Sequence, residues 1–165
     1  MAKSTTSLHL GHANVTYGGT TVGHTLGGVT VNITEEKNDI RTDDHGMMPV
    51  DSVYNGTTVE VTVPLGQIEF ATLETAFPHA VSSGGDLRHG KVVGERSSTH
   101  FQTLVVTPVA SAFSGVALTV HNAIVADTSD ISMANDEQTV VGVTFRGYVD
   151  ADSTDGLVAY HGTPA

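Results

Sequence analysis

The sequence predicts an all-β fold with one helix: two packed antiparallel sheets, sandwich- or barrel-like, flanked by a short α-helix. Three observations indicate this. The chain is rich in Val, Thr and Gly, with only 5% aromatic residues, which favours strands joined by many turns. Several segments alternate apolar and polar residues, the period of a half-buried strand. A single segment has helical periodicity.

Length and composition indicate one domain, residues 1–165, with a core of ordinary size. The chain has no Cys, which excludes disulfides, thiolate metal sites and thiol nucleophiles. Lys plus Arg number 7 and Asp plus Glu 18, for a formal charge of −11, so we expect no ordinary DNA binding. The N-terminal residues do not have the pattern of a signal peptide and no apolar run approaches the length of a membrane span. We therefore expect a protein that is cytosolic where it is made, or that is released by a route other than secretion.

Two strongly alternating runs, residues 28–34 and 58–63, are predicted to be strands with one face buried. Their apolar residues, expected inside, are Val29, Val31, Ile33, Val59, Val61 and Val63. Their polar residues, expected outside, are Thr30, Asn32, Thr34, Glu60 and Thr62. Further strands are predicted within residues 7–11, 15–31, 101–109, 116–125, 139–149 and 157–160, and an acidic connector over 127–138.

The segment between the two runs, residues 35–57, is far longer than a tight hairpin turn, so we predict a long protruding loop. This insert is acidic, yet it contains Met47 and Met48. Two adjacent large apolar residues in a polar loop normally need a covering surface. That surface is either another chain or the loop's own sheet, and the sequence leaves both open.

Residues 67–77, ended by Pro78, are predicted to form an amphipathic helix. Phe70, Leu73 and Phe77 lie at i, i+3 and i+7 and would form the stripe that packs on a sheet.

The nine histidines raise the question of a metal site. The closest pair, His9 and His12, would point to opposite faces of a strand, and no Glu stands at ligand spacing. Residues 150–156 lack the carboxylate spacing of a calcium loop, and the chain has no nucleophile elbow. We therefore predict no catalytic residue, no metal site and no cofactor, and a protein that is not an enzyme.

The order of these elements resembles that of the major tail tube proteins of long-tailed bacteriophages. The segments that carry the resemblance are residues 27–31, 46–50, 56–61, 68–73, 104–108, 141–145 and 155–157. The resemblance implies subunits that form hexameric rings, stacked into a hollow tube through which DNA passes without specific binding. It implies a location in the virion tail, with tape measure, tail terminator and baseplate or tip proteins as further partners.

The resemblance also implies roles for the residues described above. The insert would reach the adjacent ring, and its candidate contact residues are Glu35, Glu36, Asp39, Asp43, Asp44, His45, Met47 and Met48. The polar face of the two runs (Thr30, Asn32, Thr34, Glu60 and Thr62) would line the lumen. A negatively charged wall would let DNA slide without sticking.

A protein of another class, a monomeric or trimeric β-sandwich that decorates a capsid or binds a carbohydrate, explains the strands and the acidity equally well. It does not explain a long insert placed just before a strand and a helix. Carbohydrate sites also usually expose aromatic platforms, whereas this chain has no Trp and four Tyr.

Overall fold

The computed structural model describes residues 13–23, 25–66, 74, 77, 79–84, 86–90, 93–109, 117–132, 140–151 and 158–162. Within these ranges the chain forms ten strands and two short 3₁₀ turns, Asp43–His45 and Ser97–His100. The strands are β1 (Ala13–Tyr17), β2 (Thr20–Thr21), β3 (Thr30–Arg41), β4 (Pro49–Leu65), β5 (Val81–Ser83), β6 (Asp86–Arg88), β7 (Gln102–Pro108), β8 (Ala117–Ser132), β9 (Val140–Tyr148) and β10 (Ala159–Gly162). The prediction of an all-β fold is confirmed.

Eight of these strands form one antiparallel sheet in the order β2-β1-β7-β8-β9-β4-β3, with β10 also paired to β8. Strands β5 and β6 form a small separate two-stranded sheet. The long strand β8 joins the two halves of the sheet: its first residues pair with β7 and β10, and the residues from Asn122 onward pair with β9. Strand pairing is continuous, so both halves belong to one hydrogen-bonded sheet.

The sheet curves around a single core. Tyr17 of β1 contacts Phe145 of β9, with ring centroids 5.0 Å apart, although β7 and β8 separate these strands in the sheet. A bridge between Thr25 and Leu65 also links the segment after β2 to β4. Apolar side chains of five strands therefore meet in one cluster, whose members include Val15, Tyr17, Val59, Val61, Val63, Leu65, Leu104, Val106, Leu118, Val120, Val141, Val143 and Phe145.

The alternation of the two runs is confirmed for one of them and wrong in part for the other. Val59, Val61 and Val63 of β4 are buried, as predicted. Val31 and Ile33 of β3 lie on the same face, opposite Val61 and Val59 in the register, but they are 37% and 47% exposed. They are exposed because β3 is the edge strand and none of the described elements covers it.

The insert 35–57 is not an irregular loop, because both flanking strands continue through it. Strands β3 and β4 stay paired from Thr30 and Thr62 out to Arg41 and Pro49, forming a long hairpin. Register shifts after Glu36 and after Ile40 mark bulges. Gly56, beside the first bulge, has a φ of 151°, a conformation that favours glycine.

Two other predicted elements differ from the structure or lie outside it. The acidic connector 127–138 begins as strand, since β8 continues to Ser132 and pairs there with Val140 of β9. Of the predicted helix 67–77, Glu74 is helical and Phe77 is half-buried against the core. The rest, including Phe70 and Leu73, lies outside the described residues.

The hydroxyl of Tyr17 ties the core to the chain that leads into β7. It donates to the carbonyl oxygen of Ala123 at 3.2 Å and lies 3.4 Å from the carbonyl oxygen of His100. Burial raises the pKa of Tyr17 from 10.0 to about 12, because the interior disfavours the phenolate.

We expect Val61→Asp to destabilise the domain by at least about 3 kcal/mol, because it buries an unpaired charge. Its matched control is Val31→Asp, which changes the register partner on the exposed edge strand and should cost about 1 kcal/mol or less. Chemical denaturation of both variants measures the difference. Equal unfolding midpoints for Val61→Asp and the natural chain would show that the assignment of faces is wrong.

The pKa of Tyr17 predicts a loss of stability in alkali. The neutral phenol is favoured in the folded state, so its contribution is complete below pH 10 and disappears as the pH rises from 10 through about 12. Tyr17→Phe removes that contribution. The difference in unfolding free energy between the two chains should therefore shrink over this range. A difference that stays constant from pH 8 to pH 12 would contradict the buried phenol.

Candidate functional site

Three neighbouring strands present a continuous polar face on the outside of the sheet. The register places Thr30, Thr62 and Thr144 in one row across β3, β4 and β9, with the hydroxyls of Thr62 and Thr144 3.2 Å apart. Asn32, Glu60 and Arg146 form the next row. The sequence-predicted set, Thr30, Asn32, Thr34, Glu60 and Thr62, thus lies together on one face of β3 and β4.

The charge of this face is less negative than the composition of the whole chain suggests. A shallow depression is lined by Asn32, Thr34, Glu36, Thr58, Glu60 and Arg146. Arg146 is the register partner of Glu60, so it offsets one of the two carboxylates. The face is therefore mainly a surface of hydroxyl and amide groups with a small acidic excess.

At the inner end of β3, the face opposite the polar one is apolar and exposed. Val31 and Ile33 continue the row of buried valines on β4 beyond the edge of the core. None of the residues from Thr30 to Thr34 has a charged side chain. An uncharged edge strand with exposed apolar residues is well suited to pair with a strand of another chain.

Beyond Glu36 the β3–β4 hairpin forms an arm, here called the ribbon, which comprises residues 37–55. Its part on β3 and β4 is exposed on both faces, and β3 has extensive contacts with β4 alone among the described elements. Five residue pairs join its two strands, and at a rise of about 3.3 Å per residue they extend it by roughly 17 Å.

Charged residues mark one face of the hairpin. Lys37 Nζ lies 2.8 Å from Glu35 Oε2, and Arg41 Nη2 lies 3.4 Å from Asp39 Oδ2. The hydrogen bond between Lys37 and Glu35 lowers the pKa of the carboxyl and raises that of the amine. Such exposed pairs add little stability, but they keep this face of the ribbon well solvated.

The tip of the ribbon is an ordered turn that presents two methionines. Backbone hydrogen bonds from His45 to Thr42 and from Met48 to His45 close it, and Thr42 Oγ1 lies 3.0 Å from His45 Nδ1. Met47 is 83% exposed and Met48 67%. They do not fold back on the hairpin's own sheet, so that alternative is excluded and the two side chains are left facing outward.

Sequence reasoning found most of this surface but missed its third strand. Thr144 and Arg146 complete the polar face, and their strand alternates as clearly as the others. The information missing from the sequence was that β9 lies directly beside β4. Of the predicted helix stripe, only Phe77 is among the described residues, where it packs against the core.

No helix in the described ranges is long and apolar enough to cross a membrane. Comparison of the sequence with protein-family models and with curated proteins gives no match.

Proposed function

We propose that this chain is a structural subunit that assembles with copies of itself into stacked rings, forming the tube of a bacteriophage tail. The observation that carries the proposal is the long β3–β4 hairpin, whose outer part is exposed on both faces and ends in two outward-facing methionines. Exposed apolar side chains of this kind do not stabilise a solvated monomer. A contact with another copy of the chain would bury them.

The inner part of the hairpin supports a lateral contact between subunits. Edge strands promote unwanted association, and closed assemblies remove them by pairing every edge. Strand β3 has the features of an edge that is available for pairing. Residues 30–34 carry no charged side chain, and two of them, Val31 and Ile33, are partly exposed. Pairing β3 with a neighbour's sheet would cover both residues and extend the sheet around a ring.

The ribbon supports an axial contact between rings. It extends beyond the core and carries apolar side chains at and near its tip: Ile40, Met47, Met48, Val50 and Val53 are all exposed. Methionine side chains adapt to irregular partner surfaces. Acidic residues around them keep free subunits apart, so the contact would form only where the partner surface covers the methionines.

The polar face supports a wall along which DNA could slide. Its hydroxyl and amide groups, the small acidic excess and the net charge of −11 offer phosphates little to bind. In the proposed ring, the face made by β3, β4 and β9 would line the lumen. The hexameric symmetry and the tail partners come from the resemblance to tail tube proteins.

The double variant Met47→Asp, Met48→Asp should leave a folded subunit that forms no tubes. Both side chains are exposed in the subunit, so their replacement should leave its unfolding midpoint unchanged, whereas burial of two carboxylates between rings is strongly unfavourable. Sedimentation of polymer and its electron micrographs measure the effect against the natural chain.

The control is Val149→Asp, which replaces another exposed apolar side chain, outside the ribbon, with a carboxylate. It should form tubes normally. Tubes of ordinary length from the double variant would contradict the role of the ribbon. If the natural chain stays a monomer or trimer at every concentration, the decoration or carbohydrate-binding class is favoured instead.

A further inference from the structure

A cluster of side chains with metal-binding chemistry lies outside the polar face and the ribbon. His79 precedes β5, Glu95 lies just before the 3₁₀ turn Ser97–His100, and His100 is the last residue of that turn, which leads into β7. One ligand atom from each of the three residues lies within 4.8 Å of the other two. The cluster therefore joins the two ends of the chain segment between residues 79 and 100.

The hydrogen bonding of this cluster is incomplete. Nδ1 of His79 is buried and has no hydrogen-bond partner among the described residues. Nε2 of His100, which is also buried, faces Oε2 of Glu95 at 3.2 Å and has no other partner among the described residues. Buried polar atoms left in this way cost stability, and each one calls for an explanation such as a bound ion.

The distances suit a tetrahedral ion. Zinc binds His nitrogen at about 2.0–2.1 Å and carboxylate oxygen at about 2.0–2.2 Å, which separates neighbouring ligands by about 3.4 Å. The 3.2 Å between His100 and Glu95 is close to that separation. The ring centroids of His79 and His100 are 5.0 Å apart and the rings are nearly perpendicular, at 78°, with a ligand nitrogen of each within 4.8 Å of the other.

We propose that His79, Glu95 and His100 bind one divalent transition metal ion of the zinc type, with a fourth position left for water or a further ligand. Two imidazoles and a carboxylate favour such ions over calcium and magnesium, which take oxygen ligands. A chain without Cys has no thiolate to offer, so imidazole and carboxylate are the ligands available to it.

The ion would hold the segment between β4 and β7 against the core. The carbonyl oxygen of His100 lies 3.4 Å from the hydroxyl of Tyr17, so His100 is already positioned by a buried residue. Metal binding would attach the region of His79 to this point. Because the assembled site exists only in the folded chain, the ion would stabilise the fold by mass action.

The test is a titration of the untagged, chelator-treated chain with Zn²⁺, followed by calorimetry and by the unfolding temperature. We expect one ion per chain and an unfolding temperature that rises with zinc and falls again with chelator. Glu95→Gln and His79→Ala should each weaken binding by at least about tenfold. His121→Asn, which changes a histidine outside the cluster, should bind like the natural chain.

Glu95 lies on the surface, so Glu95→Gln keeps the experiment decisive even if His79→Ala fails to fold. Co²⁺ offers a second readout, since its visible spectrum reports a site of nitrogen and oxygen ligands with low coordination number. No binding of zinc to the natural chain would overturn the proposal. So would binding of equal affinity and stoichiometry in Glu95→Gln and the natural chain.

Discussion

The pairing of β4 with β9 on one side and with β3 on the other determines which apolar side chains this protein buries. From Glu60 to Thr62, β4 pairs with β3 on one side and with β9 on the other. Its side chains Val59, Val61, Val63 and Leu65 face the core. From Pro49 to Asn55 it pairs with β3 alone and is exposed. One strand thus belongs to the folded core at one end and to a free arm at the other.

This division leaves apolar surface that the described part of the chain does not cover. Val31 and Ile33 extend the valine row of β4 past the core, and Met47 and Met48 occupy the far end of the ribbon. None of the described elements covers these residues, and two separate positions along one hairpin fit the contacts in two directions that the proposed assembly needs. A ring that grows sideways and a stack that grows along its axis need such a pair of contacts.

Alternation predicted the strands well, because period 2 follows directly from the pleat of a strand. It assigned Val59 and Val61 to the core and grouped Val31 with Ile33. It could not show that β3 lies at an edge, since edge position depends on which strands pair across the whole chain. The sequence predicts a loop for the insert, where the structure has a hairpin, because a ribbon exposed on both faces carries no alternation. The cluster of His79, Glu95 and His100 has no spacing motif, so only the fold reveals it.

The most direct test of the assembly proposal is electron microscopy of the purified chain over a range of concentrations, with its mass measured by light scattering. The account predicts rings that stack into hollow tubes as the concentration rises, with β3 paired to a neighbouring subunit and the ribbon buried between rings. Discrete monomers or trimers at every concentration, with the ribbon still exposed, would contradict it.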